Sequence, residues 1–516
     1  MAKKPGTYTT VADGGPYLLG LDAGNTVIKA VLFDLEGRQL AAHAVDGATH
    51  KPATGMVERS VPELWENATA AIAGCIGAVG IDPGAIAAIG TAGHGNGLYL
   101  LSRDGAALIG IQSLDTRAAA LAVELDTAAG SDMHAIALQR PWPSQTPTLL
   151  AWLKRHRPEV YERAGTLLFA KDILTYSLTG KPASEISDMS GAGLLRLPDA
   201  VYDTGLLALY GLEDATALLP PLLQPSNIVG VVTAEAAAAT GLAKGTPVVA
   251  GYFDVVASAL GSGAVGAGAA SVVVGSWSIN QVFSDAPVRD DRVFMVAAYG
   301  PGLFVNMENS ATSAANLEWY VRALVERGSH HDDPFGFVNE VVARVAPAHD
   351  DPLFHPFLYG GRLGAHQRGG FFGVAGWHGE GHLLRAIFEG VMFEHRRHVA
   401  VLADAGVTFS TAALSGGGSR SVHWAQMFAD GLGVPVTVAE ARETGALGAA
   451  MAAAIGVGLY PAEAEAVAAM ARPARAYSSD PVMRAHYDRR YAIWRRLTEA
   501  VDPLWRELAS PAPVAS

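Results

Sequence analysis

The chain has 516 residues, 50% of them hydrophobic and 17% charged, with 37 basic against 50 acidic side chains and a net charge of −13. That length exceeds one ordinary core and implies two domains, while the acidic balance argues against nucleic acid or an anionic membrane and leaves small soluble ligands. Cys75 is the only cysteine, so no intrachain disulfide can form and a cytoplasmic location fits; no apolar run approaches the roughly 18 residues of a membrane span.

The first sixteen residues lack an apolar h-region and read as a loose leader, not a signal peptide. Residues 17–34 read as strand, turn, strand, and Leu35–Arg38 turns the chain again. The turn has two readings. It is either a plain hairpin with Asn25 near its tip, or a phosphate cradle. In the cradle Gly24, Asn25 and Thr26 supply N–H and hydroxyl donors, Lys29 supplies a charge, and Asp22 at the strand end holds Mg²⁺. An Ala-rich helix through Ile76 carries Cys75 as a small buried hydrophobe.

A strand over Ile86–Ile89 leads into Gly90–Leu101, where four glycines in eight residues allow a backbone to approach a ligand closely. Pro247–Ala250 reads as a buried strand ending at Gly251, after which Asp254 opens a short apolar helix. Asp254 is either the cap of that helix or a carboxylate at the C-terminal edge of a sheet, where open α/β sheets bind ligands. A β-branched run, Ser271–Val274, ends in a Gly-Ser-Trp-Ser turn that presents backbone N–H groups. Residues 270–283 repeat the strand, Gly-polar turn and strand of residues 18–33. Two such units some 250 residues apart suggest related halves facing each other across a cleft. Leu414–Asp430 reads as strand, glycine turn and helix, and the Ala-rich helix Thr444–Ile455 follows. Tyr487, Tyr491, Trp494 and Leu497 form an apolar stripe that reads as core.

These pieces resemble the FGGY family of carbohydrate kinases over residues 17–497. The most specific of them is Gly369–Glu389 (GGFFGVAGWHGEGHLLRAIFE), which is similar to the family's C-terminal signature in spacing throughout. Leu19–Asp34, Gly251–Asp254 and Leu414–Ala450 match further blocks in the same order. The resemblance implies an α/β, two-lobed actin/hexokinase-like (ribonuclease H-like) ATPase fold with a ligand cleft between the lobes. It implies an N-terminal domain over 17–265 that binds sugar and carries the catalytic base. A nucleotide-binding C-terminal domain would cover 266–500, with 1–16 as leader and 501–516 as tail.

By the same resemblance Asp254 is the catalytic base, and Gly275 and Ser276 meet the phosphates of ATP from the second domain. Ala314 and Glu318 face the nucleotide at positions where the family often has Gly and Gln, and Gly417, Gly418 and Ser421 hold adenosine. His94, Gly95 and Asn96 line the sugar pocket. Ser113–Arg117 is similar to the family's W-x-D-x-R block with Ser113 in the Trp position; Asp115 either pairs with Arg117 to shape the wall or accepts from a substrate hydroxyl. Trp142, in the rigid loop Pro141–Pro147, either walls the sugar or packs. Met56–Trp65 resembles the G-W-x-E-x-D-P-x-x-W segment, with Met56 and Ser60 departing from it, and is given a structural role only.

His366, His378, His382 and His395 form no recognised metal set. The expected activity is ATP- and Mg²⁺-dependent phosphorylation of a primary hydroxyl of a neutral sugar, with a homodimer as the expected assembly. The sugar loop and the segments around Asp254 and Ser313–Trp319 look closest to L-xylulose kinases, with erythritol kinases as runner-up. Gluconate is disfavoured because the loop carries no Lys or Arg. Rivals of another class are a sugar-binding regulator with lost catalysis and a chaperone-like ATPase.

Overall fold

The computed structural model describes residues 15–328 and 331–509. The leader expected at 1–16 lies, save its last two residues, outside them; of the tail expected at 501–516, residues 501–509 continue a helix. The chain forms two compact units. One takes in residues up to Ala267 with Phe283–Asn306 and Glu440–Arg472; the other takes in Gly268–Val282, Met307–Ala439 and the chain from Pro473 on. The inserted stretches of the first unit both fall within 266–500.

In the first unit the strands β1 (Tyr17–Ala23), β2 (Val27–Phe33), β3 (Gln39–Asp46), β4 (Ile86–Gly93), β5 (Ile228–Val231) and β6 (Pro247–Val249) lie in the order β5-β6-β4-β1-β2-β3. β1, β2 and β3 are antiparallel neighbours, whereas β1, β4 and β6 run parallel. Two helices from opposite ends of the sequence pack on this sheet. Helix α1 (Val61–Val79) starts on a capping box between Ser60 and Glu63 and buries Leu64, Ala68, Ile72 and Cys75. Helix α7 (Thr444–Gly456) is apolar all round and almost wholly buried, as such a helix must be.

β4 runs four residues further than the sequence suggests. Gly90–Gly93 stay paired with β1, and Gly90 serves packing: a Cβ there would overlap the backbone carbonyl of Ala449 on α7. The loop after β4 is therefore only His94–Gly97.

The second unit repeats the plan. Strands β7 (Ala269–Val274) and β8 (Ser278–Ser284) form an antiparallel hairpin, β9 (Thr411–Ser415) and β10 (Val436–Ala439) run parallel to β7, and β11 (Pro473–Tyr477) is antiparallel to β10. The order β8-β7-β9-β10-β11 matches β2-β1-β4-β6-β5, strand for strand and direction for direction. Helices α5 (Glu380–Asp404), α6 (Val422–Leu432) and α8 (Pro481–Ala509) belong to this unit. On α8 the stripe of Tyr487, Tyr491 and Trp494 is buried as core.

Candidate active site

Strand register assembles the first half of the site. Ala23 of β1 pairs with Gly93 of β4, and Gly93 pairs with Phe253 of the short strand Tyr252–Phe253. Three neighbouring parallel strands thus end at one level, and the next residues out are candidates named from the sequence: the turn Gly24–Thr26, the loop from His94, and Asp254. Carboxyl ends of adjacent parallel strands are where α/β sheets leave room for ligands. Asp254 begins helix α4 (Asp254–Gly261), but the N-cap position belongs to Phe253 and no side chain caps the helix. The carboxylate is thus not committed to capping.

Burial, then the negative charge of Asp22, raises Asp254 to about 8. Asp22 is itself raised to about 6 by burial, against the pull of Lys29. Helix α7 points its N-terminus at Asp22, where a Cβ on Gly445 would come within 2.8 Å of Oδ2. Positive helix ends favour anions there, whether this carboxylate or a phosphate. Lys29 sits opposite Asp22 in the hairpin, but its ammonium lies 2.6 Å from Glu443 Oε2, just before α7.

The turn between β1 and β2 is held from behind. Asn25 donates to Ser113 Oγ at 2.9 Å, and its carbonyl accepts from Gln112 Nε2 at 2.7 Å. The buried Arg59 donates to Ala48 O at 2.8 Å, to Gly24 O at 3.0 Å and to Asn25 O. Sequence reasoning gave the segment around Arg59 no part in the site. The signal was a lone arginine beside a capping box, whose fully buried guanidinium meets backbone carbonyls. Thr26 is exposed at the tip.

In the loop after β4, His94 and Asn96 are buried, and burial, then the charge of Arg59, lowers the His94 imidazole to about 3, so it is neutral at physiological pH. Asp115 is a correction. Its oxygens are taken by Val57 N at 2.6 Å, by Arg117 N at 2.8 Å and by the Arg117 guanidinium at 2.9 Å, so the pairing with Arg117 is present but no acceptor remains for a substrate hydroxyl. Trp142 is half-buried with its ring 5.6 Å from that of Phe294. The segments Lys171–Thr179 and Glu185–Leu194, which resemble family helices and loop in sequence but were given no role, bring together a fully buried charge cluster of Lys171, Asp172, Glu185 and Asp188.

The second unit holds a cavity of about 530 Å³, within the range of small-ligand sites. Ala314, Glu318, Gly417, Gly418 and Ser421, five residues named from sequence, line it together. Its apolar floor is Trp424 stacked on Phe388 at 4.3 Å, and Asn339, Phe335 and Asp333, which sequence reasoning did not find, complete it. Ser421 caps α6 through Trp424 N at 3.1 Å and donates to Asn339 Oδ1. Register again explains the placement: Val273 pairs with Ser415, so the turn at Gly275–Trp277 and the Gly416–Gly418 turn leave the sheet at one edge. Ser276 is exposed, and the Gly275 carbonyl accepts from Ala314 N at 2.8 Å.

The histidines are dispersed. His366 meets Asp502 at 2.8 Å, His395 meets Ser313 and Asn280, and the rings of His378 and His382 lie 5.2 Å apart. Among the described residues no group of three or more metal-capable side chains converges, and no helix is long and apolar enough to cross a membrane.

Comparison with known proteins agrees with this architecture. Residues 17–261 match the N-terminal domain, and residues 270–457 the C-terminal domain, of the FGGY family of carbohydrate kinases. The chain belongs to that family and has its two-domain actin/hexokinase-like fold; it is a carbohydrate kinase, for which ATP is the phosphate donor. It is 33% identical to the L-xylulose/3-keto-L-gulonate kinase of Escherichia coli over 94% of this chain and 97% of that one. It is 29% identical to the erythritol kinase of Brucella abortus, over 97% and 99%. The crystal structure of xylulose kinase from Rhodospirillum rubrum superposes with a TM-score of 0.86 at 28% identity, covering 95% of this chain and all of that one.

Proposed function

We propose that the protein transfers the terminal phosphate of ATP, with Mg²⁺, to a primary hydroxyl of a neutral sugar, a ketopentose such as L-xylulose. The register that ends β1, β4 and Tyr252–Phe253 at one level, with Asp22, His94 and Asp254 at or just beyond it, carries this reading. Asp254 takes the proton of the attacking hydroxyl as its oxygen bonds to phosphorus and the bond to ADP breaks; the proton then passes to solvent. Such transfer is mostly positioning and charge neutralisation, to which a base adds about 10²–10⁴-fold.

Asp22 fits a divalent cation: its carboxylate accepts no hydrogen bond among the described residues, and Mg²⁺ takes one or two carboxylates beside phosphate oxygens and water. When bound, Mg²⁺ neutralises charge building on those oxygens. Gly24–Thr26 and Gly275–Ser276 supply phosphate contacts, and the cavity at Gly417–Ser421 takes adenosine. His94, Gly95, Asn96 and Trp142 face the acceptor.

The relative named for erythritol supports a four-carbon polyol as a second acceptor. A coupled ADP-release assay over ketopentoses and four- and five-carbon polyols tests both. Release only with an acceptor is the expected result. Release without one describes an ATPase, and no release with any describes a regulator. The single buried thiol Cys75 fits a cytoplasmic setting, and light scattering in solution tests the homodimer.

A further inference from the structure

Three carboxyl groups surround Lys171 Nζ in the first unit: Asp172 at 2.6 Å, Glu185 at 3.3 Å and Asp188 at 3.6 Å, every side chain buried. Two are well supplied with donors. Glu185 accepts from Ser187 N, Ser187 Oγ and Asp188 N, and Asp172 accepts from Phe169 N and Lys171 Nζ. Asp188 is different: both of its oxygens are buried and, among the described residues, neither has a hydrogen-bond partner. A cluster that served folding alone would gain by satisfying all three, since an unsatisfied buried polar atom is costly and uncommon.

The position of Asp188 explains the exception. It lies on helix α3 (Ile186–Gly191) against the His94–Gly97 loop, where a Cβ on Gly95 would come within 2.7 Å of Asp188 Oδ1 and would overlap the ring of Phe253, the residue before Asp254. The same loop leaves His94 Nδ1 and Asn96 Oδ1 buried without partners, and holds Asn96 at a left-handed φ of 59°. Asn96 Nδ2 reaches Gly191 O on α3 at 3.4 Å, and Ser187 Oγ of α3 accepts from Phe253 N at 3.0 Å. Four polar atoms without a hydrogen-bond partner, from three side chains, thus lie about one glycine that packs against Phe253, the residue before the proposed base. Hydroxyl groups of a ligand would supply the partners these atoms lack.

We propose that Asp188 binds a hydroxyl of the acceptor sugar other than the one phosphorylated, and so helps set acceptor specificity. This deepens the carbohydrate-acceptor reading above and rests on it. A carboxyl group can serve a hydroxyl as acceptor or as donor. Burial, partly offset by Lys171 and reinforced by Asp172, Glu185 and Asp254, pushes Asp188 well above the usual carboxylate range, which favours the donating form.

The test is a cycle of enzyme and substrate changes. The acceptor turned over best in the panel, and its analogues lacking one non-reacting hydroxyl at a time, are assayed with wild type, Asp188→Ala and Asp188→Asn. Removing one particular hydroxyl is expected to lower kcat/KM of the wild type by about a hundredfold or more, as in sites built to bond a substrate hydroxyl. In Asp188→Ala the same removal should cost less than about threefold, because the partner is already gone. Should the alanine variant fail to fold, the near-isosteric Asp188→Asn enters the same cycle, with the melting curve and the KM for ATP as checks on the fold. Deoxygenation penalties identical in wild type and variants overturn the assignment of Asp188 alone. A wild type that turns over none of the panel overturns the substrate reading, and this inference with it.

Discussion

The charge of Asp22 bears on Asp254. With burial as the larger cause and Asp22 the second, the Asp254 carboxyl is raised to about 8. Only the ionised form can accept a proton. Below this value the base is mostly protonated, so kcat/KM for the acceptor falls about tenfold per pH unit. A cation held by Asp22 offsets one source of the rise, so with Mg²⁺ the break should come at or below about 8. A pH–rate profile checks this; a flat acid side contradicts it.

The same rise predicts a stability change. A carboxyl raised in the folded chain supports folding fully only below its unfolded value of 3.8, and that support is lost progressively as pH climbs from there through about 8. Asp254→Asn, which carries no charge to bury, should therefore melt higher than wild type at alkaline pH, by about 1–3 °C. Near pH 4 the two should differ little. Calorimetry at both pH values reads the difference.

Asp22→Asn is expected to abolish the effect of Mg²⁺ on nucleotide binding while leaving Mg²⁺-free binding close to that of wild type. Titration calorimetry with and without the metal reads this. A variant that responds to Mg²⁺ as wild type does removes Asp22 from that role.

Gly417 borders the second-unit cavity, and a Cβ there meets nothing within 4 Å, so Gly417→Leu can fold while filling the space given to adenosine. Its KM for ATP should rise about tenfold or more, a typical cost of blocking part of a well-fitted pocket, with the acceptor KM unchanged. Equal changes in both constants would argue against adenosine in this cavity.

The repeated hairpins were legible because alternating apolar strands around a Gly-polar turn leave a pattern in the chain itself, and the place of Asp254 at a helix start was legible from strand, glycine and helix in succession. The convergence of Ala314, Glu318 and Gly417–Ser421 was legible only through family resemblance, since nothing local brings those segments together. Arg59 and Asp188 could not be read this way. Arg59 matters through carbonyls 34 and 35 residues away, and Asp188 through a glycine in another loop. Gly90 was misread for a related reason: a glycine facing a helix some 360 residues later in sequence looks the same as one facing a ligand.

The most direct test is a rapid-quench, single-turnover comparison of wild type and Asp254→Ala with saturating Mg²⁺, ATP and the best acceptor. Phosphoryl transfer should slow by at least about a hundredfold in the variant, the range expected for loss of a general base, with ATP affinity little changed. Transfer at a near-normal rate would contradict the assignment of Asp254, and with it this account of the reaction.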